Sequence, residues 1–168
     1  MPEFPTITHV ALTVSDLGRS VPWYEALFDA KPLLDEDTGV FRHAVWLVGG
    51  QTLVGLHQFP DPVDAGPFNE RRLGLDHLAF ACADRAELDA WVGRLDALGV
   101  QHGGVVDAGY GSGLSFRDPD NIALEFFAPP TGANRCRLLC HPMIVAITVS
   151  IGSARLCRIV DYRCGPVV

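Results

Sequence analysis

Three histidines and one glutamate stand in this chain at spacings that suit a metal ion. His9 and His57 lie 48 positions apart, and so do His77 and Glu125. Small residues border each of them at alternate positions: Ala11 and Thr13 beside His9, Gly55 beside His57, Ala79 and Ala81 beside His77, and Ala123 beside Glu125. Residues two apart on a strand share a face, so each of these side chains would have free space next to it. Three imidazoles and a carboxylate suit a borderline divalent cation such as Zn, Fe(II), Ni or Mn, and suit calcium poorly. An ion held this way keeps one or two positions for substrate oxygens and stabilises the charge that develops on them. Glu125 or His57 would then move the proton that such chemistry needs. A single histidine beside an apolar strand is more often a hydrogen-bonded core residue than a ligand. Repetition favours the ligand reading here, and His43, His102 and His141 lack it; they are read as solvated or hydrogen-bonded side chains, with a supporting role open to His43.

The elements that must position these residues repeat. ITHVALTVSDLGRSVPWYEAL from Ile7 aligns without a gap on LDHLAFACADRAELDAWVGRL from Leu75, an offset of 68 that puts His9 on His77, Asp16 on Asp84, Trp23 on Trp91 and Leu27 on Leu95. The same offset places TLVGLHQFP from Thr52 over DNIALEFFA from Asp120, with His57 on Glu125. Each half opens with alternation at period two, which predicts a strand, and continues with apolar residues at helical spacing. Pro22 suits only a helix start, so the first helix is expected to begin near Arg19 or Ser20. Asp84 with Glu87 predicts a capping box, and Gly99 a helix stop. Three further strands follow in each half, near 32–37, 40–48 and 51–59, then 100–107, 110–117 and 121–128. The unit is βαβββ, twice: an α+β fold of two modules whose curled mixed sheets surround a central cup. Residues 1–60 form the first module, 61–74 a Pro- and Gly-rich linker, 75–130 the second module and 131–168 an extension without a counterpart. Phe41, Trp46, Tyr110, Leu114 and Phe116, from the meander strands, are expected to wall a substrate pocket, and Arg42, Arg71 or Arg72 could pair with an anionic substrate tail.

The motifs ITHVALTVSDLGRSVPWYEALF, GLDHLAFACADRAELDAWVGRLDALGV and SFRDPDNIALEFFAPP resemble the vicinal oxygen chelate superfamily, which includes glyoxalase I, bleomycin- and fosfomycin-resistance proteins, methylmalonyl-CoA epimerase and extradiol dioxygenases. The resemblance covers residues 5–130. It implies a glyoxalase-like fold with metal ligands on the first and last strands of each module, here His9, His57, His77 and Glu125. It further implies a lyase or isomerase acting on a small substrate that chelates the ion through adjacent oxygens. Two alternatives stand beside it. One is an Fe(II) extradiol-type ring-cleaving dioxygenase, in which His9, His77 and Glu125 form the triad and His57 acts in acid–base chemistry, although the family's tyrosine is Ser115 here. The other is a metal-free, bleomycin-resistance-like binding module. Glyoxalase I has glutamate at the place of His57, a departure that bears on the lyase reading.

Composition removes other classes. With 13 Lys+Arg against 20 Asp+Glu the chain carries a formal charge of -7, which repels a phosphate backbone or an anionic membrane surface. Nucleic acid and membrane are therefore not expected partners, and no apolar run reaches the roughly 18 residues of a membrane span. The expected compartment is the cytoplasm, the expected partner a small-molecule substrate, and the site could close within one chain or across a homodimer. Charge is uneven: residues 131–168 hold five arginines and one acidic residue, Asp161, whereas the preceding part is strongly acidic. Cys136, Cys140, Cys157 and Cys164 lie in that extension without the paired spacing of a zinc ribbon. MIVAITVSI, 143–151, is β-branched and could add a strand, but 131–168 is read as a poorly packed extension whose deletion residues 1–130 should tolerate.

Overall fold

The computed structural model describes residues 4–62 and 66–130, and the backbone of two strands at 146–151 and 154–159. It divides into two compact units, Met1–Thr131 and Gly132–Val168. The first holds β1 (His9–Thr13), α1 (Leu17–Phe28), β2 (Leu34–Asp37), β3 (Arg42–Val48) and β4 (Thr52–Gln58), followed by β5 (Leu78–Ala81), α2 (Arg85–Ala97), β6 (His102–Ala108), β7 (Gly111–Arg117) and β8 (Ala123–Ala128). The two sheets have the same order, β1-β4-β3-β2 and β5-β8-β7-β6. In each, the first and last strands of the module run parallel and the other neighbours antiparallel, as the duplicated βαβββ pattern requires. In the second unit, β9 (Ala146–Ile151) pairs antiparallel with β10 (Ala154–Ile159), so residues 146–151 of the β-branched run form a strand. Cys136, Cys140, His141 and Cys164 lie outside the described residues.

Helix α1 begins at Leu17, ahead of the expected Arg19 or Ser20, because its first amides find acceptors. Asp16 Oδ1 takes the Gly18 N–H and Gln58 Oε1 that of Leu17, each at 2.8 Å. Pro22 consequently sits inside the helix, where it cannot donate to the Gly18 carbonyl. Helix α2 starts with the expected reciprocal cap. Asp84 Oδ1 accepts the Glu87 N–H at 3.0 Å, while the Glu87 carboxylate reaches back to the Ala83 N–H rather than to that of the cap residue. Both helices stop at a left-handed residue, Asp29 (φ 54°) and Gly99 (φ 68°).

These stops expose a change of register. Asp16 to Asp29 spans 13 positions, but Asp84 to Gly99 spans 15, so the second helix segment is two residues longer. Beyond it, the equivalent positions of the modules differ by 70, not 68. Ala11 of β1 lies opposite Gly55 of β4, and its counterpart Ala79 of β5 lies opposite Glu125 of β8. Glu125 therefore corresponds to Gly55, and His57 corresponds to Phe127. The gapless superposition of His57 on Glu125 does not hold in three dimensions.

The helix-covered faces of both sheets share one core. Leu12, Tyr24, Leu27, Trp46 and Leu56 come from the first module, and Leu88, Leu95, Leu114, Phe116, Leu124 and Phe126 from the second. Aromatic contacts cross between them, Trp23 to Phe116 at 6.5 Å and Phe28 to Phe80 at 5.8 Å between centroids. Polar bonds also cross. The Tyr24 hydroxyl donates to Asp118 at 3.0 Å, and Asp120 accepts from the Ser15 N–H (2.9 Å), the Ser15 hydroxyl and Arg19 (both 2.6 Å). Arg94 of α2 donates to the Ala26 carbonyl at the end of α1 at 2.7 Å, placing a positive charge at the negative pole of that helix. With the helix faces buried against each other, the opposite faces remain open, and Ala11, Thr13, Ala79, Ala81 and Ser115 are exposed on them.

Candidate functional site

All four metal-ligand candidates lie on or beside those open faces, because strand alternation turns Leu12, Val54, Leu56, Leu124 and Phe126 toward the helices and their neighbours away. In the second module the geometry is tight. Glu125 lies between Ala79 of β5 and Ser115 of β7, and His77 stands two residues before Ala79. His77 Nε2 and Glu125 Oε2 are 3.5 Å apart. Two ligand atoms bonded to one tetrahedral ion at about 2.0–2.2 Å stand about 3.3–3.6 Å from each other, so this pair is spaced as two ligands of one cation. The carboxylate reaches this position by lying over Gly113, where a Cβ would overlap it. At its other nitrogen, His77 Nδ1 lies 2.6 Å from Asp76 Oδ1.

The first module presents a different set. His9 opens β1 with Nδ1 at 3.2 Å from Thr8 Oγ1. On β4, the His57 ring stacks on Phe41 with centroids 4.5 Å apart and meets His43 edge-on at 5.5 Å. His43 Nε2 is in turn 3.0 Å from Glu36 Oε1. The His57 ring leans back along its own strand, so that Nε2 lies 3.5 Å from where a Gly55 Cβ would be. Burial first, then the charges of His43 and His9, hold the His57 imidazole below its usual pKa and favour the neutral ring.

Among the described residues, no three His, Cys, Asp or Glu side chains lie close enough together to hold one ion. The chain thus brings His77 and Glu125 together, while His9 and His57 stand on the open face of the other sheet. Of the expected pocket wall, Trp46, Leu114 and Phe116 must be reassigned. They are 1%, 0% and 3% exposed and pack in the helix-side core, because Trp46 lies opposite Val54, Leu114 opposite Phe126 and Phe116 opposite Leu124. Phe41 does reach the open face, against His57, whereas Tyr110 is a largely exposed residue stacked on Phe127. Arg42 stands 3.5 Å from Asp35. Cys82 is buried, and desolvation followed by the charges of Glu87 and Asp84 pushes its thiol up to about 12, unsuited to nucleophilic work. The structure adds residues that the spacing argument passed over: Asp76 and Thr8, which directly precede His77 and His9 at the same repeat offset, and Gly113. A polar residue before His9 and before His77 is the available signal; Gly113 has none, because its role depends on which strand it faces.

Comparison with known proteins agrees with this architecture. The family model of the Glyoxalase/Bleomycin resistance protein/Dioxygenase superfamily matches residues 6–126. Two curated proteins named metallothiol transferase FosB are similar: that of Staphylococcus saprophyticus is 29% identical over 122 residues, covering 71% of this chain and 74% of the relative, and that of Shouchella clausii is 32% identical over 127 residues, covering 71% and 77%. Among solved structures, a glyoxylase/bleomycin resistance protein/dioxygenase domain from a Frankia species superposes with a TM-score of 0.69 at 33% identity over 76% of this chain and all of that one. A fosfomycin resistance protein FosX from Listeria monocytogenes, solved with Mn(II) and 1S,2S-dihydroxypropylphosphonic acid, superposes with a TM-score of 0.58 at 23% identity over 77% of this chain and 94% of that one, a likeness of fold.

Proposed function

The chain belongs to the Glyoxalase/Bleomycin resistance protein/Dioxygenase superfamily, and from that premise we propose that it is a divalent-metal-dependent enzyme whose small substrate binds the ion through adjacent oxygens. The observation that carries this reading is the 3.5 Å approach of His77 Nε2 to Glu125 Oε2 on an open sheet face. His77 and Glu125 would hold the cation with His9 as third ligand, supplied by the first module of a second copy, since one chain keeps the two sheets' open faces apart. Such a cation would act as a Lewis acid toward the substrate oxygens.

Within the superfamily, the site favours attack by an external nucleophile over the lyase or isomerase chemistry expected first. A glyoxalase I-like proton transfer calls for a carboxylate from the first module, and the position equivalent to Glu125 there is Gly55, which has no side chain. The name metallothiol transferase, carried by both curated relatives, suggests a thiol as that nucleophile. In such a reaction a C–S bond forms as a C–O bond of the substrate breaks, the oxygen keeps the electron pair, and the thiol proton ends on it. His57, on the same sheet as that His9 of the second copy and held toward its neutral form, is suited to take that proton and return it. A small phosphonate epoxide of the fosfomycin type is the substrate class we assign.

The test is metal content of the purified protein, followed by turnover of fosfomycin with low-molecular-weight thiols under Mn(II), read by phosphorus NMR. Metal-dependent conversion that disappears in H77A and E125A is expected. Conversion of hemithioacetals alone would return the assignment to the lyase, oxygen uptake with catechols and Fe(II) to ring cleavage, and a protein without metal affinity to a binding module.

A further inference from the structure

We propose that Asp76 is a positioning residue which sets the tautomer and direction of the His77 imidazole, so that the second module presents a preformed pair of donor atoms before any ion arrives. The proposal rests on the metal-centred reading above. An imidazole has two nitrogens, and in its neutral form only one carries hydrogen. Asp76 Oδ1 lies 2.6 Å from His77 Nδ1, and an ionised carboxylate can only accept, so the hydrogen belongs on Nδ1. The Nε2 lone pair is then free, and it is Nε2 that faces Glu125 Oε2 at 3.5 Å. Without Asp76 the hydrogen could sit on Nε2 and point at the Glu125 carboxylate, closing by a hydrogen bond the gap in which a cation belongs. Carboxylate bonds to the far nitrogen of a ligating histidine fix the ring and raise its basicity, and their loss typically weakens metal binding by about 10–100-fold.

The first module repeats the arrangement with a weaker partner. Thr8 precedes His9 as Asp76 precedes His77, and its hydroxyl stands 3.2 Å from His9 Nδ1. A hydroxyl can donate or accept and carries no charge, so it leaves the His9 tautomer open. The two candidate histidines are therefore unequal: His77 is committed in the metal-free chain, and His9 is not.

Two measurements on the full chain test this. Long-range proton–nitrogen NMR of the metal-free protein at neutral pH reads the tautomer of each histidine, and Mn(II) titration by EPR reads affinity. Wild type is expected to show His77 as the Nδ1–H form; D76A is expected to lose that preference and to bind Mn(II) about 10–100-fold more weakly. D76N, which keeps an acceptor oxygen but not the charge, is expected between the two, and D76E should restore most of the affinity. An Nδ1–H tautomer that persists in D76A, or Mn(II) affinity equal in wild type and D76A, overturns the role of Asp76 while leaving the metal site standing. A wild type that binds no Mn(II) overturns the metal reading, and the tautomer of His77 still decides whether Asp76 sets the ring.

Discussion

Gly113 and Gly111 stand two residues apart on β7, yet a methyl group at each has opposite consequences. At Gly113 it meets the far end of the Glu125 side chain, which can swing away, so G113A should unfold within about 0.5 kcal/mol of wild type while losing Mn(II) affinity, as denaturant titration and EPR would show. At Gly111 it meets the Phe127 ring and the Ala128 carbonyl at a φ of 147°, so G111A should cost about 1–3 kcal/mol of stability. His57 supplies a pH dependence. Its folded-state pKa lies below the unfolded value, so in the window between them the unfolded chain binds more protons. The stability that the neutral ring retains is full above the unfolded pKa, about 6.5, and is lost as pH falls through the folded one. H57Q should flatten this loss, so its urea midpoint should rise relative to that of wild type as pH falls from about 8 to about 5. The candidate ligands were legible at this scale because each carries small neighbours at alternate positions. The pocket wall was not. Trp46 and Phe41 have opposite parity on one strand region and cannot share a face, and the sheet register settles which of them turns inward.

At the scale of elements, helix starts depend on partners remote in sequence. Gln58, at the end of β4, accepts the Leu17 N–H, which lets α1 begin a turn ahead of Pro22. Local rules alone set the start later, since nothing in the sequence joins residues 17 and 58. Removing the cap by D16A should cost about 1 kcal/mol, measured as a shift in denaturation midpoint. Strands and helices themselves were readable from their periods, and the duplication was readable from the repeated motif. The change in offset from 68 to 70 was hidden for a physical reason. A shift of one residue would have turned every side chain to the other face, but a shift of two preserves alternation, leaving apolar positions over apolar positions. Only the left-handed stops, Asp29 and Gly99, mark where it enters.

For the whole molecule, the decisive feature is that the two modules meet through their helix faces. Tyr24 and Asp118 form the buried polar link of that junction. Desolvation pushes Asp118 above the usual carboxylate range, and bonds from the Ile122 and Asp120 amides and the Tyr24 hydroxyl oppose that push. Y24F strips away one of these and should destabilise the protein by about 1–3 kcal/mol, and a double-mutant cycle with D118N should show strong coupling. Among the described residues the buried core belongs to the first unit, so a chain ending at Thr131 should keep a single cooperative unfolding transition. The two added residues of the second helix segment carry one more consequence. Two steps of a strand are about 7 Å, so two residues added over the helix and its left-handed stop shift by that amount which residues of the following strand face a given partner. Every buried contact keeps its chemical type, yet a different side chain arrives at the candidate ligand position. A duplicated protein can in this way exchange one donor for another without mutating either, by insertion at a distance, and its two halves can drift toward separate duties while their hydrophobic patterns stay alike.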